Sequence, residues 1–590
     1  MATNNGGLFA HLTPILKRHS RYIWLGAVLT VISNGLVLIN PYLIKLAFDG
    51  IESGKPASYI LQLCLYMLIL TIVGGIARFG MRRTVIWASR KAEYDLRNTL
   101  FAKWLDLDAT YFDRTRTGDL MAHATNDIEA VRMLTGPAIM HVMNTIASTV
   151  VSIAFMSSLS IKLTLATVLP LLLLGLSYNF LGQLVHKRFM AIQQHFSYLT
   201  SQVQENLAGV RVIRAYNREA SEIDRFAESS QTYARMNLDM MKINGLFQPL
   251  VYAIAGGVTL LVLWVGGHQV MDKSITLGTL VAFYGYLGWL VWPMMALGWV
   301  ISLYQRGTAS LKRINKILDT ETRVRHPVRA GVDPMEVSGK IEFKNLTFSY
   351  ATAEGDDDNP VLKNINLTID PGSRLGITGP TGSGKTSLVA LIPRMYPVKP
   401  GMLSIDGIDS TEWSLSKLRD AIGFVPQETF LFSDTLEANI NFAKDDVALG
   451  RIADISKLAA LHDDVEGFPA KYDTILGERG ITLSGGQKQR TALARAILKS
   501  PSIIILDDAT SSVDTETEQE IFTNLERVLP GRTSIIISHR VASLKDCDKI
   551  VYLENGEIIE EGSHDELVAK NGAYAALYHR QMMEDKLESM

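Results

Sequence analysis

The chain has 590 residues, 58 Lys and Arg against 60 Asp and Glu, and a net charge of −2. That length is too great for one hydrophobic core, so two or more domains are expected. Neither acidity nor basicity points to nucleic acid, and the informative feature of composition is its unevenness along the chain.

Before about residue 310 the chain carries long apolar stretches with few charges. Six of them are each long enough for a bilayer core of about 30 Å. They run over Tyr22–Leu46, Tyr59–Phe79, Ile139–Leu159, Leu163–Val185, Phe247–Met271 and Leu277–Leu303. The N-terminus is polar and the first apolar stretch is long enough to span, so no cleaved leader is expected. Links 47–58, 160–162 and 272–276 are short, whereas 80–138 and 186–246 are long, polar and rich in Arg and Lys. Lys17, Arg18 and Arg21 precede the first span. The bias of positive charge toward the cytoplasm puts the N-terminus, both long links and all that follows residue 310 on that side. The long links have helical patterning and are expected to continue the membrane helices. Cys64 and Cys547 then fall in different compartments and are expected to be unpaired. The sixth span carries Phe283, Tyr284, Tyr286, Trp289, Trp292, Met294, Met295, Trp299 and Tyr304. Such residues suit an adaptable apolar ligand, and equally helix packing or lipid contact. Arg78 could meet an anionic group or snorkel to the interface.

After residue 310 the chain reads as an α/β domain. Residues Gly379-Pro-Thr381-Gly382-Ser383-Gly384-Lys385-Thr386, followed by Ser387, fit the phosphate-loop pattern G-x-x-x-x-G-K-[ST]. The glycines let backbone N–H groups turn inward on ATP phosphates, Lys385 can reach the β- and γ-phosphates, and the Thr386 hydroxyl can bind Mg²⁺. An apolar run, Ile503-Ile-Ile-Leu, ends in Asp507. This is expected of a buried parallel strand that presents a Mg²⁺-binding carboxylate at its C-terminal end. Between the two lies Leu483-Ser484-Gly485-Gly486-Gln487-Lys-Gln-Arg490. Glu354–Asp358 reads as a solvated hairpin tip.

These three motifs in this order resemble the ABC-type ATPases, and six spans ahead of an ATPase resemble the exporter class of ABC transporters. The resemblance covers nearly the whole chain. It implies a membrane domain over 1–315, a linker over 316–338, an ABC nucleotide-binding domain over 339–580 and a tail over 581–590. It further implies that Tyr350 stacks on adenine, and that Gln427 senses Mg²⁺ and the γ-phosphate. By the same resemblance His539 is the switch histidine that orients the attacking water, and Asp514 lies on the loop that crosses a dimer interface. Gly477-Glu478-Arg479-Gly480 matches a loop used at the domain contact. Ser484, Gly485, Gly486 and Gln487 form the signature, which binds the ATP of an opposing chain. Tyr111–Leu120 with Asn126-Asp127, and Gln204–Gly209 with Arg214-Ala215-Tyr216, match the two segments that carry motion between ATPase and membrane domains.

One position departs from the pattern. Where good hydrolysers carry Glu after the Mg²⁺-binding Asp, this chain has Asp508. The carboxylate of a side chain one methylene shorter sits roughly 1 Å from where a base must meet the water, which can cost on the order of 100-fold in rate. The site is expected to hold ATP and cleave it slowly. With one copy of each motif, the chain is expected to be a half-transporter. An intact signature beside a weak base suits a heterodimer whose partner carries Glu, similar to bacterial heterodimeric multidrug exporters of the Mdl and Tmr type; a homodimer is the alternative. The expected activity is ATP- and Mg²⁺-dependent export of amphipathic compounds across the cytoplasmic membrane, with lipid flipping or peptide export as alternatives. Membrane lipids and an apolar substrate are the other expected partners, and nucleic acid is not.

Overall fold

A computed structural model describes residues 7–324, 336–352, 355–356, 359–444, 447–528 and 530–588. Residues 325–335 of the expected linker, part of the acidic hairpin tip and the last two residues of the tail lie outside the described residues. The chain divides into two compact units: 1–105 with 118–320, and 106–117 with 321–590.

The first unit is helical. Ser20–Glu52, Ala57–Asp106, Thr117–Leu159 and Tyr252–Met271 are long and apolar enough to cross a membrane, and Ile161–Leu171 and Leu277–Leu290 are shorter apolar stretches among the described residues. The helices run far past the apolar segments. Ala57–Asp106 has 50 residues, Ile161–Ala208 has 48, Glu219–Met271 has 53 and Leu277–Leu318 has 42. At about 1.5 Å per residue these reach roughly 60–80 Å, twice a bilayer core or more. The polar links are therefore continuations of the helices, as their patterning predicts. The first span is not one helix: it breaks at Ile39 between Ser20–Leu38 and Asn40–Glu52. Pro41 explains the break, because it has no N–H to give the carbonyl four residues back and its ring crowds that carbonyl.

Leu38, Met156, Leu163, Val262, Phe283 and Tyr286 pack into one apolar cluster. The Tyr286 ring stacks on Phe155 at 5.9 Å. Phe283 and Tyr286 are therefore packing residues. Trp299 meets His141 edge-on at 4.8 Å, and the Arg78 guanidinium lies 5.8 Å from the Trp289 ring centre. The side chains of Trp292, Met294 and Met295 lie outside the described residues. Polar contacts fix helix register inside this unit: Asn34 Nδ2 donates to Asn144 Oδ1 at 3.0 Å, and Ser33 Oγ to the Gly74 carbonyl at 2.9 Å. Asp127 is buried between Arg313, whose Nε donates to it at 3.0 Å, and His123 at 2.6 Å. That pairing ties the motif Asn126-Asp127 to the helix Leu277–Leu318.

The second unit is built on a six-stranded sheet in the order Glu557–Gly562, Lys549–Glu554, Arg374–Thr378, Thr533–Ile537, Ile503–Asp507, Ile422–Val425. All neighbours are parallel except the first pair. Ile503–Asp507 and Thr533–Ile537 are buried along their whole length, as continuous apolar runs require when helices cover both faces. A second, antiparallel sheet joins Leu362–Ile369, Ile341–Phe348, Leu403–Ile405 and Ile408–Asp409. Ala351–Thr352 and Gly355–Asp356 form a two-stranded hairpin at the acidic segment. The helix Ala573–Glu588 runs across residue 580.

The unit also contains residues 106–117 from between the membrane helices. Asp108 caps the short helix Ala109–Arg114 and accepts from Thr110 N at 3.0 Å. Tyr396 donates its hydroxyl to Asp113 at 2.9 Å, and Asp108 also accepts from Arg323 N at 2.6 Å. Burial, reinforced by Asp113, pushes the Tyr396 phenol up, so it stays a donor.

Candidate ATP site

Four adjacent parallel strands end at one edge of the six-stranded sheet, and each is followed by a residue with chemistry to offer. Thr378 leads into the phosphate loop, Asp507 ends its strand, Ile537 precedes Ser538-His539, and Val425 precedes Pro426-Gln427. Ligands bind at such carboxyl edges because the loops there can converge on one point. Backbone bonds stitch the edge together: Ser538 N donates to the Ile377 carbonyl at 3.2 Å and Asp508 N to the Ile537 carbonyl at 3.0 Å.

Two glycines of the phosphate loop are required by crowding as well as by conformation. Gly379 has φ +144°, and a Cβ there would lie 2.0 Å from the Leu553 carbonyl oxygen. Gly384 has φ +100°, and a Cβ there would lie 2.8 Å from Leu362 Cδ2. Both conformations are closed to residues with side chains. Thr381 and Gly382 are exposed at the loop tip, while Ser383 is buried with an unpartnered hydroxyl. Lys385 opens the helix Lys385–Ala390, and its Nζ donates to the Gly379 carbonyl at 2.9 Å and the Pro380 carbonyl at 2.8 Å. The lysine is thus stored across its own loop. Burial pulls its pKa down, opposed by Asp507 and Asp508.

Asp507 is brought to Thr386, which hydrogen-bonds to it. Its Oδ2 is buried and has no partner. Burial raises the carboxyl above the ordinary value of 3.8, with Asp508 adding to the rise and Thr386 and Lys385 opposing it. An orphaned carboxylate oxygen beside a hydroxyl is the donor set a hard cation needs, so Thr386 and Asp507 fit Mg²⁺. Bound there, Mg²⁺ would neutralise phosphate charge. Gln427 is exposed two residues beyond Val425, whose strand pairs with that of Asp507.

Asp508 is half-buried and adopts φ +50°, a left-handed conformation that Asp tolerates better than most residues. The loop after it is clamped. Gln489 donates to Ser511 Oγ at 2.8 Å and accepts from Ser512 N at 2.9 Å. Gln489 lies inside the signature stretch, yet its role is invisible in the sequence because it acts through the fold.

Tyr350 is placed beside the phosphate-loop helix. Its hydroxyl shares a hydrogen bond of 2.9 Å with Ser387, and its ring meets Phe348 and Tyr396 edge-on. His539 is exposed, just past its strand. Ser484 caps the helix Gly485–Leu498 in a reciprocal box: its Oγ accepts from Gln487 N at 3.2 Å and its N donates to Gln487 Oε1 at 3.0 Å. Gly485 and Gly486 begin that helix, with Ser484 and Gly485 exposed and Gly486 buried at its N-terminus, the helix end whose backbone N–H groups favour an anion. Asp514 accepts from Thr517 N at 2.9 Å, and that bond holds its carboxyl below the usual range. It therefore begins the helix Thr515–Val528.

Comparisons agree with this geometry. Residues 23–294 match the family model of the ABC transporter transmembrane region and residues 362–511 match that of the ABC transporter. The chain is 35% identical to the multidrug resistance-like ATP-binding protein MdlA of Escherichia coli over 98% of both chains. It is 34% identical to the ATP-dependent lipid A-core flippase of Syntrophus aciditrophicus, over 98% of this chain and 95% of that one. A solved bacterial Atm1-family ABC exporter with ATP bound superposes with a TM-score of 0.77 at 27% identity, covering 96% of this chain and 98% of that one. With a multi-pass membrane region and an ABC ATPase fused in one polypeptide, the chain belongs to the ABC transporter family, among its exporters.

Proposed function

We propose that this chain is one half of an exporter that moves amphipathic compounds out across the cytoplasmic membrane, using six spans and alternating access. The N-terminus and the ATPase lie in the cytoplasm. The observation that carries the reading is the pairing of a phosphate loop and Mg²⁺ ligand set with a signature helix whose capped N-terminus is exposed at Ser484 and Gly485, each in single copy. Lys385, Ser383 and the loop N–H groups hold the phosphates of ATP, Thr386 and Asp507 hold Mg²⁺ with Gln427 beside them, and Tyr350 takes the adenine. The signature Ser484–Gln487 serves the phosphates bound by a second chain. ATP binding at two such sites closes the ATPase units, and differential affinity for the closed form is what drives the membrane helices. Leu207, Val212 and Tyr216 at the second motion-carrying segment are 61–76% exposed, which supports a docking role on a partner.

Asp508 makes this chain's own site slow, so the partner is a different chain with Glu at that position, and Asp514 lies at their interface. His539 orients water at this chain's site. A tagged copy purified from its native membrane should bring down a second half-transporter in equal amount, and substrate should stimulate the ATPase of the pair. A chain that purifies alone with robust, substrate-stimulated ATPase contradicts the heterodimer.

A second reading, lipid flipping, is favoured by the lipid A-core flippase relative and by Arg78 against Trp289 in the membrane unit. Stimulation of ATPase by one anionic lipid class and not by varied amphipathic cations would select it.

A further inference from the structure

The loop that carries His539 is held from two sides, and neither hold comes from the ATP-binding motifs. On one side is Glu518, a carboxylate only 6% exposed on the helix Thr515–Val528. It accepts from Arg540 Nη1 at 2.6 Å and from Ser543 Oγ at 2.8 Å. On the other side is Gln581, on the C-terminal helix Ala573–Glu588. Its Nε2 donates to the His539 carbonyl at 2.6 Å and its Oε1 accepts from Val541 N at 2.8 Å. One amide thus spans the loop, gripping His539 itself and the residue two further on. With Ser538 N held to the Ile377 carbonyl at 3.2 Å before it and the Gln581 amide on its own carbonyl after it, the backbone at His539 is restrained on both sides of its Cα, and so is the starting point of its side chain.

The C-terminal helix is itself anchored. Tyr574 is fully buried, its N donates to Glu560 at 3.2 Å, and its hydroxyl pairs with His564 at 2.8 Å. Gln581 therefore reaches His539 from a fixed base. A solvated tail would give no such hold.

We infer that Gln581 is a positioning residue for ATP cleavage: it sets the backbone of His539 and makes the C-terminal helix part of the catalytic unit. The inference rests on the reading of His539 as the water-orienting residue. Gln581 touches no substrate, so its loss should act on the rate of cleavage and leave ATP affinity alone. Displacement of about 1 Å in an orienting group can cost up to roughly 100-fold, and a loop still held by Glu518 should lose about tenfold.

The test is a double-mutant cycle on the full-length protein in lipid nanodiscs, with its partner chain if it assembles with one. Gln581→Met keeps length and helix propensity and removes both hydrogen bonds. Single-turnover cleavage is read with protein in excess over ATP, and the Kd for ATP by equilibrium binding. The expected result is cleavage slowed about tenfold, with the Kd changed by less than about twofold. In a His539→Ala background the same substitution should have no further effect. An unchanged rate with Gln581→Met, a rate and Kd that worsen together, or an equal loss in the His539→Ala background each overturns the inference. If His539→Ala alone leaves cleavage unchanged, the reading of His539 falls and the inference with it, an outcome distinct from failure of Gln581 alone.

Discussion

Asp508→Glu tests the proposed slow site most sharply. The backbone at 508 is pinned: its N donates to the Ile537 carbonyl at 3.0 Å, and Gln489 holds the next turn through Ser511 and Ser512. The loop therefore cannot readily advance to make up for a short side chain, and an added methylene carries the carboxylate outward by roughly 1 Å. That is worth on the order of 100-fold in single-turnover cleavage at this chain's site. The change has a cost that the sequence does not reveal. At φ +50° Asp is tolerated, while Glu is disfavoured by about 1 kcal/mol. For a domain of this size that lowers the melting temperature by about 2–4 °C. The assay is cleavage of labelled ATP with protein in excess, alongside thermal unfolding of the nucleotide-free protein. A faster site in a slightly less stable protein is expected. A rate within about threefold of wild type would show Asp508 to be a working base already, and the argument from length would fail.

Three further outcomes are expected. Lys385→Ala should weaken ATP binding at this chain's site by roughly 100-fold, through loss of a charge-assisted phosphate contact; unchanged photolabelling of this chain by an ATP analogue would refute it. In a pair with a Glu-bearing partner, Ser484→Ala should cut steady-state ATPase far more than Asp508→Ala, because the signature serves the partner's faster site; the reverse order would mean that this chain's phosphate loop serves the active site. Burial holds Asp507 above 3.8, so ionised Asp507 destabilises the empty site. For an acid raised in the folded state, stability rises as pH falls through the folded pKa. Asp507→Asn should therefore raise the nucleotide-free melting temperature at neutral pH by on the order of 2 °C and abolish stabilisation by Mg²⁺ with ATP. In the wild type that stabilisation should begin to weaken, as pH falls, at a higher pH than a carboxylate of the ordinary value 3.8 would give.

The candidate nucleotide-binding residues were legible because their chemistry is local. A phosphate loop needs glycine where φ is positive and a lysine one residue on, and Gly379, Gly384 and Lys385 state that in order. The apolar run Ile503–Leu506 announces a buried strand, and the polar links between spans carry enough helical pattern to foretell helices of 42 to 53 residues. What the sequence could not show are contacts between segments far apart in the chain. Gln489 reaches the loop after Asp508, and Gln581 reaches His539 across 42 residues. Nothing in either residue's neighbours marks it. The turn at Asp508 was equally hidden, since Asp is tolerated in both ordinary and left-handed backbone. The division of aromatics in the sixth span depended on which helix each one met, so Phe283 and Tyr286 became packing residues only once the cluster around Leu163 and Val262 was seen.

The central claim is that ATP held by this chain drives an amphipathic compound across the membrane. Its most direct test uses the purified assembly in sealed vesicles with the ATPase units facing out. Uptake of a fluorescent amphipathic cation is followed after addition of Mg²⁺ and ATP. The account predicts uptake against a gradient that stops when Lys385→Ala replaces wild type and when Mg²⁺ is chelated. ATP cleavage without any movement of amphipathic compounds or lipids, or movement that persists in Lys385→Ala, would contradict it.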